Sequence, residues 1–247
     1  MQVAYLNTNG FFGYQRKGKR EQSNSLIAKK ILDKLFECVE PDILFFAEFD
    51  KYSTAGKYII ESLEEKGYSP IYPDNRTNMS SKVFSYVVAF SKHKYPSEKS
   101  PEGCLAYKWN EIIINEYRII GVHIPSSIHE PERANNYWDA LHKHYLDHKE
   151  DKIIYIGDMN VYDEGTEGKK QFNKLMKVAQ DGWNETHHSN TLTDSFTISL
   201  DNGDYKRVDY VVLSNNISKV FVVENFQDFY KEYLSDHSLI AVTIQDT

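Results

Sequence analysis

The sequence predicts an α+β sandwich, and three observations carry that prediction. Short runs rich in β-branched and aromatic residues recur along the chain, each bounded by polar clusters. Amphipathic stripes of helical period lie between some of these runs. Toward the C-terminus strand-like runs follow one another directly, which a regular alternating barrel would not do. With 247 residues, 40% hydrophobic and 26% charged, the chain reads as an ordinary soluble globular protein with a sizeable core. No repeat or low-complexity linker interrupts it, so residues 1–247 read as a single domain.

The elements follow in order. Gln2–Leu6 is an apolar run that stops at Asn7-Thr8-Asn9-Gly10, where Asn-Gly signals a turn. Leu26, Ile27, Ile31, Leu32, Leu35, Phe36 and Val39 form a helical stripe that Pro41 ends. Ile43–Ala47 is apolar throughout, as in a fully buried strand. Tyr58, Ile59 and Leu63 mark a second helix, with Gly67 as its stop. Strands are predicted over Val83–Ser91, Glu111–Asn115 and Arg118–Ile124. Pro131 opens a long amphipathic helix reaching about Lys149, with Ala134, Tyr137, Trp138, Leu141, Tyr145 and Leu146 inward. Lys152–Ile156 is a strand, and Phe172, Leu175, Met176 and Ala179 mark one more helix. Arg207–Leu213, Ser218–Val223 and Ser238–Ile244 complete the set.

A net charge of -7 argues against a polyanion binder held by overall charge, although a local basic groove can outweigh the global sign. Cys38 and Cys104 form neither a metal pattern nor a disulfide framework, which favours a reducing compartment. The N-terminus lacks the charged and apolar regions of a signal peptide. No apolar stretch approaches the roughly 20 residues of a membrane helix. The expected location is the cytoplasm, with no membrane and no obligatory protein partner.

The chemistry sits at strand ends. Asp158 and Asn160 are two apart after Ile153-Ile154-Tyr155-Ile156, so both can project one way. There a carboxylate can activate a water while a carboxamide donates to a phosphate oxygen. The same residues also suit an Asx turn. Gly157 would let the backbone approach a ligand. Glu48 closes Ile43–Ala47, where a buried carboxylate needs a partner: Mg²⁺ or a structural cation. Asn7 suits a neutral ligand or phosphate donor, and Asn9 a turn. Asp236-His237 opens the last strand, and Asp209 is the candidate carboxylate orienting His237. His123 ends Ile119–Val122 and would reach the phosphate, or would be a satisfied core histidine. His144 and His148 have zinc-compatible spacing but lack the HExxH glutamate, and read as a solvated face. Arg16, Lys17, Lys19 and Arg20 form a basic cluster that suits a phosphate backbone or a solvated loop. Phe11, Phe12 and Tyr14 beside it could stack on bases or simply pack.

These segments resemble the endonuclease/exonuclease/phosphatase superfamily. The matching stretches are LNTNGF, DILFFAE, GVHIPSS, IIYIGDMNV, TLTDSF, KRVDYVVLS and SDHSLIAVTI, in family order from residue 6 to 244. The resemblance implies a DNase I-like α+β fold: a four-layer α/β/β/α sandwich of two mixed β-sheets with outer helices. It implies Mg²⁺- or Mn²⁺-dependent phosphoester hydrolysis. Glu48 resembles the main metal ligand, with Asn7 beside it and Asp236 an adjacent metal-site or proton-transfer acid. Asp158 resembles the water-activating or leaving-group aspartate, Asn160 the phosphate-contacting asparagine, and Asp209 with His237 the Asp–His pair. His123 stands where DNase I-like members have His. Ser126 replaces an Asn that often follows in the family and is a candidate substrate contact. Asp194 matches a recurrent position read as structural. The stretch between Phe196 and Arg207 is short and lacks the aromatic block of abasic-site enzymes.

The expectation is a metal-dependent phosphodiesterase, a DNA nuclease acting endo- or exonucleolytically with nucleic acid as substrate. A phosphatase or phosphodiesterase for a small or lipid phosphate is the alternative. A non-catalytic nucleic-acid-binding member is a second, disfavoured because the Glu, GDMN and SDH residues are all present.

Overall fold

The computed structural model describes residues 1–12, 24–75, 85–162, 165–187, 192–200, 203–217 and 221–245. The strands are β1 (Gln2–Asn7), β2 (Ile43–Phe49), β3 (Ser69–Ile71), β4 (Tyr86–Ser91), β5 (Trp109–Ile114), β6 (Tyr117–His123), β7 (Lys152–Asp158), β8 (Ala179–Asp181), β9 (Ile198–Ser199), β10 (Tyr205–Lys206), β11 (Asp209–Ser214), β12 (Phe221–Phe226) and β13 (Leu239–Ile244). The helices are α1 (Ser25–Cys38), α2 (Thr54–Glu65), α3 (Pro131–Asp147), α4 (Glu167–Leu175), α5 (Gly182–Thr186) and α6 (Asp228–Lys231). One sheet runs β12-β13-β1-β2-β4-β3 and the other β5-β6-β7-β11-β8. Both are mixed, with parallel β1–β2 and β6–β7 pairs among antiparallel neighbours.

Strand alternation sorts the side chains into three apolar layers. In the first sheet Ala4, Leu6, Leu44, Phe46, Val88 and Phe90 face outward onto α1 and α2. Val3, Tyr5, Ile43, Phe45, Val87 and Ala89 face inward and meet Ile119, Ile154, Ile156, Val211 and Leu213 of the second sheet. Ile120, Val122, Ile153, Tyr155 and Val212 face α3 and α4 on the far side. The result is the α/β/β/α order the motifs imply. Period-two alternation explains why two apolar sheets stack face to face, since each buries one face on the other and one under helices.

Helix starts follow local capping. Asn24 caps α1 by accepting from Leu26 N at 2.8 Å, and Ser53 caps α2 by accepting from Gly56 N at 2.9 Å. Pro131 occupies the first turn of α3, where its missing N–H costs no helical bond. Some inward assignments need correction. Leu26 and Leu146 are exposed, because each lies at the margin of its stripe and no neighbouring element covers it. The helix expected to reach Ala179 ends at Leu175, and Ala179 instead opens β8. The short β3, β8, β9, β10, α5 and α6 carry too few residues for a periodic signal. The expected strands over Val83–Ser91 and Ser218–Val223 begin in undescribed residues, and β4 and β12 are their described parts. Arg16, Lys17, Lys19 and Arg20, with Tyr14, lie outside the described residues. Among the described residues no helix is long and apolar enough to cross a membrane.

Gly157 shows how closely β6 and β7 are set. It has φ 148°, and a Cβ there would lie 2.1 Å from the Val122 carbonyl oxygen. The close approach is therefore to the neighbouring strand, not to a ligand as the sequence suggested. Gly157→Ala should cost at least about 3 kcal/mol, at the upper end of the overpacking range. Urea unfolding measures this as a fall in midpoint, and an unchanged midpoint would contradict the strand spacing.

Candidate active site

Both sheets bring their functional residues to one end. Asn7 ends β1 and pairs in register with Ala47. His123 ends β6 opposite Asp158, the last residue of β7, and Asp158 is opposite Asp209, the first of β11. All project between the sheets, sharing parity with the inner-layer residues of their strands. Simple alternation would send Glu48 outward with Leu44 and Phe46. A bulge prevents this: β2 shifts register between Phe46, paired with Val88, and Phe49, paired with Tyr86. Glu48 takes φ 52° at the extra position, and the left-handed backbone turns its carboxylate into the site.

The carboxylates are tied together. Asn7 Nδ2 donates to Glu48 Oε1 and to Asp158 Oδ2, both at 3.3 Å. Asn7 Oδ1 accepts from Asn9 N at 3.1 Å, so Asn9 is a turn residue that fixes Asn7. His237 Nδ1 lies 2.8 Å from Asp209 Oδ2, the pairing expected from sequence. Its Nε2 is 4.0 Å from Asp158 Oδ2. His123 Nε2 is 3.7 Å from Asp158 Oδ2 and 3.9 Å from Glu48 Oε1. Asn160 is near but turned aside. It adopts φ 48°, its N–H donates to Asp158 Oδ1 at 2.9 Å, and its carboxamide donates to Ile124 O at 2.7 Å. In this arrangement it positions Asp158 and joins the ends of β6 and β7.

Burial and like charge set the electrostatics. Burial pushes the Asp158 carboxyl up to about 7, reinforced by Asp209 and Glu48 and opposed by His237. Burial works against a charged His237, but Asp209 and Asp236 more than compensate and raise it to about 10. His123 is driven well below the usual imidazole range by burial and by Lys108, so it is neutral. Asp236 is buried and acts on the imidazole electrostatically. Among the described residues one group of acidic or imidazole donors lies within 4.8 Å of one another: Asp158, Asp209 and His237. Asp236 is not in it.

The sequence reading missed Lys108, Thr197 and Ser235. Lys108 Nζ lies 3.3 and 3.2 Å from the two ring nitrogens of His123, buried at the mouth. Burial lowers its pKa while Glu48 and Asp158 hold it up. Only its place before a strand could have suggested a role. Thr197 Oγ1 accepts from Val208 N at 3.0 Å and Asp209 N at 2.9 Å, while its carbonyl accepts from Ser238 N at 2.8 Å. It thus holds Asp209 and His237 in one frame. Ser235 Oγ donates to Asn7 O at 2.7 Å and accepts from His237 N at 3.2 Å. Thr197 directly follows the TLTDSF stretch and Ser235 lies in SDH, but nothing in the spacing gives their bonds.

Other expected contributors sit elsewhere. Ser126 Oγ accepts from Ile128 N at 3.3 Å and shapes the loop before α3. Phe11 is buried under the first sheet, so it packs and does not stack on bases. His144 is not on a solvated face. It is buried, with Nδ1 2.8 Å from the Tyr155 hydroxyl and Nε2 3.2 Å from Glu111 Oε2. Asp194 lends its carbonyl to Asn225 Nδ2 at 2.8 Å, as a structural residue would.

A hard divalent cation fits this donor set. Glu48 and Asp158 supply carboxylate oxygens of the kind Mg²⁺ or Mn²⁺ takes, while Asn7 faces them with its amide N–H groups, its Oδ1 being bonded to Asn9 N. Asp209 Oδ1 is buried without a hydrogen-bond partner, and three carboxylates together leave the pocket short of positive charge. Metal binding should therefore displace the Asp158 proton. Calorimetry in buffers of differing ionisation enthalpy should detect proton release on adding Mg²⁺ at pH 6. The release should fade above pH 8, where Asp158 is already ionised without metal. No proton release at pH 6 would contradict the cation position.

No family model matches the chain, and no curated protein matches it. Solved structures do. A 3′ phosphatase, NExo, from Neisseria, bound to a product DNA hairpin, superposes with TM-score 0.75 at 13% identity over 100% of both chains. An AP endonuclease from Archaeoglobus fulgidus gives 0.71 at 15% over 100% of both. Truncated TDP2 from Caenorhabditis elegans gives 0.69 at 18%, covering 99% of this chain and 97% of that one. Two mixed sheets, outer helices and these likenesses over full length establish a DNase I-like fold, that of the endonuclease/exonuclease/phosphatase superfamily.

Proposed function

We propose that this protein is a divalent-metal-dependent phosphodiesterase that hydrolyses phosphoester bonds in DNA. The observation that carries the reading is the meeting of Glu48, Asn7 and Asp158 with the Asp209–His237 pair, at 2.8–4.0 Å spacings, between two sheet ends. The fold is shared with proteins whose names describe DNA 3′-phosphatase and AP endonuclease activities, which favours DNA over a small phosphate. The basic residues Arg16, Lys17, Lys19 and Arg20 are proposed to meet phosphates away from the cleaved one, offsetting the acidic net charge of -7.

Glu48 would hold the Mg²⁺ or Mn²⁺ with Asp158 adjoining, and Asn7 would join them by turning its Oδ1 from Asn9 N into the site. The cation would supply Lewis acidity at a phosphate oxygen and lower the pKa of the neighbouring carboxyl. Asp158 in its ionised form accepts the proton of the attacking water as the phosphorus–oxygen bond to the leaving group breaks, and the leaving oxygen takes its proton from solvent. His237, cationic through Asp209 and Asp236, faces the developing negative charge on the phosphoryl oxygens. Lys108 sits beside the neutral His123 and keeps that ring in place. Asn160 keeps Asp158 aimed through its N–H bond.

Turnover should be measured on plasmid, linear duplex, single strand, abasic duplex and phosphomonoesters. EDTA should abolish it, and full hydrolysis in EDTA would sink the metal reading. Glu48→Gln should keep the fold and lose activity by orders of magnitude, because a carboxamide lacks the charge a hard cation prefers. His237→Ala should cost roughly 10²–10⁴-fold, and Asp209→Asn less, since it acts through His237.

The pH profile follows from the same groups. Activity should rise with pH as Asp158 loses its proton, at or below about 7 once metal is bound. It should fall near pH 10 as His237 becomes neutral. In Asp209→Asn the descending limb should move to lower pH, because the largest influence raising the imidazole is gone. An unmoved limb would remove His237⁺ from the mechanism.

A further inference from the structure

Three aromatic side chains are exposed among the described residues: Tyr52 at 40%, Tyr205 at 48% and Tyr233 at 65% relative exposure. Each is four positions from a site residue. Tyr52 follows Glu48, Tyr205 precedes Asp209 and Tyr233 precedes His237. The other described aromatics are buried or half-buried. Exposed rings are thus confined to the connections that carry the site.

Their main chains are also fixed, and the rings of Tyr205 and Tyr52 have packing partners. Tyr205 stacks on Phe196 at 6.4 Å and 14°, and leans on the buried Tyr230 at 5.6 Å. Its strand partner β9 bridges to His237 through Ile198, and Ser199 N donates to Asp236 O at 3.0 Å. Tyr233 has φ 59°, a backbone conformation unfavourable for a bulky residue. Its N–H donates to Tyr230 O at 3.2 Å. On the opposite side, Tyr52 N donates to Asp50 Oδ1 at 2.9 Å, and Lys51 Nζ lies over the rings of Tyr52 and Tyr72 at 5.1 and 4.8 Å. A flexible solvated tyrosine needs none of this support.

We propose that Tyr52, Tyr205 and Tyr233 form an aromatic rim that stacks unpaired nucleobases flanking the scissile phosphate. The substrate is then a single strand or an opened strand end. This rests on the reading of the site as a nuclease. A continuous duplex hides its base faces in its own stack and offers such a rim only edges and backbone. Base–aromatic stacking is indifferent to sequence and to charge, so it suits a protein of net charge -7.

The test uses short single-stranded oligonucleotides with 2-aminopurine beside the cleaved phosphate, and the matching duplex. Stacking should quench the fluorescence of the single strand on the parent protein. Tyr205→Ala should lose most of that quenching and raise KM by about five-fold, the lower end of one base stack. Tyr205→Trp should restore both. A tetrahydrofuran residue in place of the flanking nucleotide removes the base, and parent and Tyr205→Ala should then have the same KM. Tyr52→Ala provides a second variant whose ring is not part of the Phe196–Tyr230 stack. If parent and both alanine variants quench alike, or if Tyr205→Ala weakens the base-free substrate equally, the rim is overturned. If the parent cleaves no oligonucleotide, the nuclease reading fails separately, and loss of quenching in both alanine variants still decides the rim.

Discussion

Three carboxylates are brought together between the ends of two apolar sheets, and most of the surrounding structure answers to that concentration of negative charge. Asp158 and Asp209 are directly opposite in register, and Glu48 reaches Asp158 through one shared asparagine. Apolar strands fill the space below them, so water relieves little of the repulsion between the buried Asp158 and Asp209, while Glu48 is half-buried. Burying like charges is costly unless cations or protons compensate. Here the compensation is local. His237 is held cationic, Asp158 is pushed toward its neutral form, and Glu48 and Asp158 oppose the lowering of the Lys108 pKa by burial. A bound divalent cation is the natural remaining partner.

Holding such a site requires backbone that ordinary strands do not supply. Glu48 and Asn160 both occupy left-handed backbone, at φ 52° and 48°. Strain of this kind persists only where neighbours enforce it. The bulge in β2 enforces it at Glu48. Bonds from Asn160 to Asp158 and Ile124 enforce it on the other sheet. Ser235 then anchors the last segment to β1, and Thr197 ties the start of β11 to that same last segment. The site is thus assembled by main-chain bonds from small hydroxyl residues as much as by its ionisable groups.

The outer layers serve a different end. Helices α1 and α2 cover one sheet and α3 and α4 the other, which removes both apolar faces from water and stiffens the strand ends. Under α3, Glu111 accepts from Trp109, Arg118 and His144. That buried network satisfies its own charges. It explains a histidine pair whose spacing alone resembled a metal site.

The sequence by itself determined the layers and which polar residues gather at one end of the sheets. Long apolar runs such as Ile43–Ala47 and Lys152–Ile156, and the stripes of α1 and α3, fix strand and helix through periodicity, a local property. Glu48, Asp158, Asp209 and His237 were legible because polar residues at the ends of such runs have few structural excuses. Tertiary structure decided what periodicity cannot encode. The bulge that turns Glu48 inward depends on how β2 pairs with β4. Lys108 becomes a site residue only because β5 and β6 bring it to His123. His144 is buried, against its sequence reading, because Glu111 and Tyr155 come to it across the second sheet. The exposed tyrosines do not stand out in sequence, and only the solvent exposure of their rings sets them apart. For Glu48, Lys108 and His144 the deciding contact joins residues far apart in the chain, and local sequence carries no record of that pairing.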